Sequence, residues 1–64
     1  MEHIEKLLKE EKGKLEIDFD MHELNFYAVI RNQYGVALIN AEGDTLEELI
    51  QALSEACVRY MYGL

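Results

Sequence analysis

Lys14-Leu15-Glu16-Ile17-Asp18-Phe19-Asp20 is the stretch on which the fold turns. Leu15, Ile17 and Phe19, with Met21 next, take the odd positions, while Glu16, Asp18 and Asp20 take the even ones. A side-chain period of two sends these sets to opposite faces of an extended strand. The stretch predicts a strand over 14–20 with one buried face and one acidic face.

Working outward, Met21-His22-Glu23 predicts a turn without the Gly or Asn that would set its type. A second strand is expected over 24–31. Leu24, Phe26, Ala28 and Ile30 form one face, and Asn25, Tyr27, Val29 and Arg31 the other. Asn32-Gln33-Tyr34-Gly35 reads as a hairpin loop, with Gly35 free to take a positive φ. A short third strand over 36–40 follows, and Ala41-Glu42-Gly43-Asp44 reads as a turn.

Both flanks change to a period of 3.6. Upstream, Ile4, Leu7, Leu8 and Glu11 share one face of a short helix over 2–12, with a Glu5–Lys9 pair and Gly13 as the stop. Downstream, Thr45-Leu46-Glu47-Glu48 is a capping box, in which the Thr45 hydroxyl accepts from the Glu48 N–H and the Glu48 carboxylate reaches back to the Thr45 N–H. The helix it opens, over 45–62, carries Leu46, Leu49, Ile50, Leu53, Ala56, Cys57 and Tyr60 as one apolar stripe. The fold class is α+β: one α-β-β-β-α domain over 1–64, a three-stranded antiparallel sheet with both helices on the face of Leu15, Ile17, Phe19, Phe26, Ala28 and Ile30.

Composition narrows the function classes. Half of the 64 residues are apolar, a globular share, yet no apolar run approaches the roughly 20 residues that span a bilayer. The first residues, Met1-Glu2-His3-Ile4-Glu5-Lys6, are charged and lead into no apolar segment, so they are not expected to be a signal peptide. One cysteine, Cys57, needs no oxidising compartment, and a cytoplasmic setting is expected. The net charge is −7, and residues 1–14 contribute nothing to it, because four Glu there meet four Lys. All of it lies in residues 15–64, where only Arg31 and Arg59 oppose the acids. That field repels phosphate backbones and anionic membranes, and it favours a basic protein partner.

Catalytic chemistry finds no support in these residues. The row Glu16, Asp18, Asp20 runs along one strand, so its carboxylates point outward in parallel rather than converging on a divalent cation. His3 and His22 have no partner at metal-ligand spacing, and Cys57 sits on the apolar stripe of the last helix. No metal, cofactor or enzyme activity is expected. What remains is the second face of the sheet, with Glu16, Asp18, Asp20, Tyr27 and Arg31 on it and Tyr34 at the hairpin tip. Tyr and Arg are enriched where proteins bind proteins, and these six residues are the candidate contact set.

The run Tyr27-Ala28-Val29-Ile30, then Tyr34-Gly35-Val36-Ala37-Leu38-Ile39, then Glu42-Gly43-Asp44-Thr45-Leu46-Glu47-Glu48-Leu49 continuing to Tyr60 resembles the N-terminal domain of HicB-type antitoxins. Those domains also set a strand hairpin before a Gly-Asp-Thr-Leu-Glu-Glu helix start. The longer Pro- and Gly-containing loop they carry there is shortened to residues 40–43, and their C-terminal DNA-binding module has no counterpart in these 64 residues. The resemblance implies a domain that binds and occludes a protein partner without autoregulation at DNA. The element order is also similar to that of double-stranded-RNA-binding domains, but Glu47 and Glu48 stand where a basic phosphate-binding helix end would be.

The leading expectation is an acidic inhibitor- or antitoxin-like module that docks on a basic protein, such as a nucleic-acid-processing enzyme. A phage-type nucleic-acid mimic, of the kind found among anti-CRISPR proteins, is the second reading. A structural homodimer is the third, held by an edge strand or by apolar surface around Cys57, Met61 and Leu64.

Overall fold

A computed structural model describes residues 1–63. The elements run α1 (Glu2–Glu11), β1 (Lys14–Asp20), β2 (Asn25–Arg31), β3 (Ala37–Gly43) and α2 (Leu46–Tyr62). The strands form an antiparallel meander in the order β1-β2-β3. Among the described residues no helix is long and apolar enough to cross a membrane.

β1 takes the expected bounds, and all seven of its residues pair with β2 in unbroken register from Lys14 opposite Arg31 to Asp20 opposite Asn25. β2 starts one residue later than expected. Leu24 belongs to the four-residue turn and adopts a left-handed φ of 55°. The Asp20 carboxylate secures that turn by accepting from the backbone N–H of His22 at 2.8 Å and of Glu23 at 3.1 Å. At the other hairpin, Gly35 takes a φ of 83°, and the Asn32 side chain accepts from the N–H groups of Tyr34 and Val36.

β3 departs most from expectation. Ala41, Glu42 and Gly43 are not a turn; they continue the strand, pairing with Ala28, Tyr27 and Phe26. Tertiary pairing overrides the turn-like composition of Glu42-Gly43-Asp44. Gly43 is needed there for space: a Cβ on it would strike the backbone of Leu49, so its absence lets α2 descend onto the sheet. Gly13 works the same way against the Arg31 carbonyl, and it is Lys12, at φ 51°, that provides the left-handed end of α1.

The Thr45 cap forms, with its hydroxyl accepting from the Glu48 N–H at 3.1 Å. The return bond goes to the N–H of Asp44 at 3.4 Å, not to that of Thr45. The stripe of α2 is narrower than expected: Leu49, Leu53, Ala56 and Cys57 are buried, whereas Leu46 and Tyr60 stay largely exposed. On α1, Ile4 and Leu7 are buried against the core. The expected Glu5–Lys9 ion pair is not formed; instead Lys6 Nζ donates to the Tyr62 hydroxyl at 2.9 Å, tying α1 to α2. That bond also holds the Lys6 ammonium above its ordinary pKa.

The helix-facing side of the sheet has three rows. Leu15, Ile30 and Ile39 form one, Ile17, Ala28 and Ala41 the next, and Phe19, Phe26 and Gly43 the last. α2 lies chiefly over β3 and less over β2, and α1 rests on α2. Small residues at Ala28, Ala41 and Gly43 let the helix come close on that side. Burial follows the roof: Ile30, Ala28, Leu49 and Leu53 are buried, while Ile17 keeps 43% and Phe19 48% of its surface. The expectation that Ile17 and Phe19 lie in the core is therefore corrected. They sit on the right face but beyond the reach of the helices, and Phe19 packs mainly on Phe26, ring centres 4.8 Å apart.

Of the apolar residues grouped in the homodimer reading, Cys57 is fully buried, Met61 is partly buried against the core, and Leu64 lies outside the described residues.

Candidate functional site

The second face of the sheet has no helix over it, and the register places its side chains in rows. Glu16, Val29 and Asn40 form one row; Asp18, Tyr27 and Glu42 form the next; Asp20 and Asn25 lie beyond. Alternation along β1 and β2 therefore brings Glu16, Asp18, Asp20, Tyr27 and Arg31 to one face, as expected from the sequence. Tyr34 stands apart at the tip of the β2–β3 loop, 81% exposed.

The five residues on the face do different work. Arg31 donates through Nε to Glu16 Oε1 at 3.1 Å and through a terminal nitrogen to the Gly35 carbonyl at 3.1 Å. Lys14 Nζ lies 3.7 Å from the other oxygen of Glu16. Hydrogen bonding from Arg31, aided by both cations, holds the Glu16 carboxyl below its ordinary pKa. Arg31 thus fastens the hairpin loop and neutralises Glu16, while Asp20 is engaged in the turn. Of the acid row, Asp18 alone has no side-chain bond to another side chain or to backbone among the described residues.

The sequence reading missed one member of the site. Glu42, assigned there to a turn, pairs with Tyr27 on the side opposite Asp18, so Tyr27 stands in a row flanked by two acidic residues. A shallow depression beside it is lined by Asp20, Glu23, Asn25, Tyr27 and Glu42. The even-numbered parity of Asn40 and Glu42 was the available signal, once the strand is allowed to run on. The face consequently splits into a balanced end, where Lys14 and Arg31 meet Glu16, and an acidic end at the β1–β2 turn.

Among the described residues no group of three or more His, Cys, Asp or Glu is placed to hold a metal ion. Burial pushes the Cys57 thiol above its ordinary pKa, as expected for a structural cysteine within the core. No protein-family model matches the chain, and neither curated proteins nor solved structures yield a match to it.

Proposed function

We propose that this chain is a small protein-binding module of the inhibitor or antitoxin type, which docks the acidic end of its open sheet face on a basic protein. The observation that carries the reading is the row Asp18, Tyr27 and Glu42, with Asp20 and Glu23 beside it and, among the described residues, no ion pair to any of these acids. A flat aromatic ring gives contact area at small entropic cost, and the surrounding acids steer an oppositely charged surface toward it. The HicB-like run over residues 27–60 agrees with a partner-occluding role, and a basic nucleic-acid-processing enzyme is the partner class that fits the charge. The lone cysteine suits a cytoplasmic setting.

Affinity capture from the native host tests the reading. The wild-type chain should retain a basic protein that elutes as salt rises. The double variant Asp18→Lys, Glu42→Lys should bind it about tenfold or more weakly. Asp20 is left intact because its turn bonds would confound the result. A partner held equally well by the double variant would refute the proposal.

A further inference from the structure

β1 is an edge of the sheet: beyond it, on the side away from β2, no strand follows among the described residues. Its ladder to β2 is seven residues long and free of bulges, and it contains neither Pro nor Gly. In an antiparallel pair, alternate residues of such a strand turn their N–H and C=O groups outward. The strand therefore offers a regular row of hydrogen-bonding groups. One flank of that row is apolar and uncovered at Ile17 and Phe19, and the other carries Glu16, Asp18 and Asp20.

A second copy of the chain matches this edge only in part, because every overlap longer than three residues sets acid against acid. Antiparallel self-pairing must set residues of the same face opposite one another, so the two-fold axis passes through a residue. An axis at Ile17, which overlaps the full strand, sets Glu16 against Asp18 twice and Lys14 against Asp20 twice, so attraction and repulsion cancel. An axis at Glu16 sets that carboxylate against its own copy beside two Lys14–Asp18 pairs, and an axis at Asp18 sets Asp18 against itself and Glu16 against Asp20 with no cation opposite. Only a three-residue overlap centred on Leu15 escapes acid against acid. Like charges directly opposite destabilise a ladder. A strand that alternates basic and apolar residues satisfies both flanks at once.

We propose that β1 is a strand-addition site that takes an extended segment of a partner protein with alternating basic and apolar residues, the cations over Asp18 and Asp20 at the acidic end and the apolar side chains over Ile17 and Phe19. This rests on the acidic-docking reading above and supplies its geometry: main-chain bonds give the affinity and the alternating flanks give the specificity.

The probe is a synthetic peptide of β1's length that alternates lysine and valine, compared with an isomer in which the lysines are grouped together. Titration into isotope-labelled protein at low salt is followed by amide shifts and hydrogen exchange. The alternating peptide should bind about tenfold tighter than the isomer, the sum of a few cross-strand pairs, and should newly protect amides of β1. Methylating every second backbone nitrogen of the peptide blocks one of its edges, and one of the two methylated forms should lose binding. Phe19→Ser should weaken the complex, while Phe19→Leu, which keeps the apolar bulk, should leave it unchanged and so separates lost contact from lost fold.

Equal binding of both peptides, with shifts centred on Tyr27, would overturn strand addition and leave acidic docking standing. Binding of neither lysine peptide would overturn both. Self-association that protects β1 amides without peptide would assign the edge to a second copy and overturn the proposal.

Discussion

The two edges of this sheet are built on similar alternation and end in opposite situations. β3 is bulged opposite Ile30 and Arg31, and its helix-side residues Ile39 and Ala41 lie under α2. β1 is regular, and its helix-side residues Ile17 and Phe19 are half exposed. Bulges and covering helices are ways of blunting an edge; β1 has only its charges. A period of two therefore tells which face of a strand looks toward the core, while the reach of the helix layer decides how much of that face becomes core.

The largest test of this contrast sets the roof against the uncovered edge. Leu53→Ala, at a fully buried position of α2, should cost about 2–5 kcal/mol of unfolding free energy. For a chain of this length, with a total stability of about 3–10 kcal/mol, that is a large part of the whole. Ile17→Ala should cost less than about 1 kcal/mol, because half of the side chain is already wet. Urea titrations of the two variants would give equal losses if β1 were as well covered as β3.

Smaller effects separate the two hairpin turns. The turn leaving β1 places Leu24 at a left-handed φ, where an L-residue is strained, and the turn entering β3 uses Gly35. Leu24→Gly should gain up to about 1 kcal/mol, the relief being partly offset by the greater freedom of glycine in the unfolded chain. Gly35→Ala should lose about 1 kcal/mol, and a thermal scan would show the two changes moving Tm in opposite directions.

The smallest expected effect is electrostatic. Because Arg31 holds the Glu16 carboxyl below its ordinary value, the pair adds stability at neutral pH, above the unfolded-state pKa. That increment should fade as pH falls through the lowered folded-state pKa. Both side chains are partly in water, so the increment is small and salt-sensitive. The stability difference between wild type and Arg31→Ala, measured across the acid range, should shrink with falling pH; a constant difference would mean that Arg31 acts through the Gly35 carbonyl alone.

The same contrast explains what was legible in the sequence. Element order, the bounds of β1, the Thr45 cap and the Gly35 turn all rest on local chemistry, and local chemistry is written in consecutive residues. The open face was equally readable, since parity alone assigns Asp18, Tyr27 and Arg31 to it. Glu42 was not, because Glu-Gly-Asp reads as a turn until a neighbouring strand is present to pair with it. The exposure of Ile17 and Phe19 was hidden for a related reason. It depends on where α2 settles, and that follows from Ala28, Ala41 and Gly43 acting together across two strands. The roles of Arg31 as a loop tie and of Asp20 as a turn anchor also needed three-dimensional partners to be seen.

Cys57 turns the covered half of the molecule into a clock. Its thiol is fully buried on α2 among the core residues, so a thiol reagent reaches it only when that helix lifts away. Where reclosing outpaces labelling, the labelling rate therefore reports the population of opened molecules, without any added probe. Since Cys57 is not part of β1, an occupant of that strand would slow the clock only where the opening that frees the thiol also undoes β1, so its effect distinguishes local lifting of α2 from global unfolding.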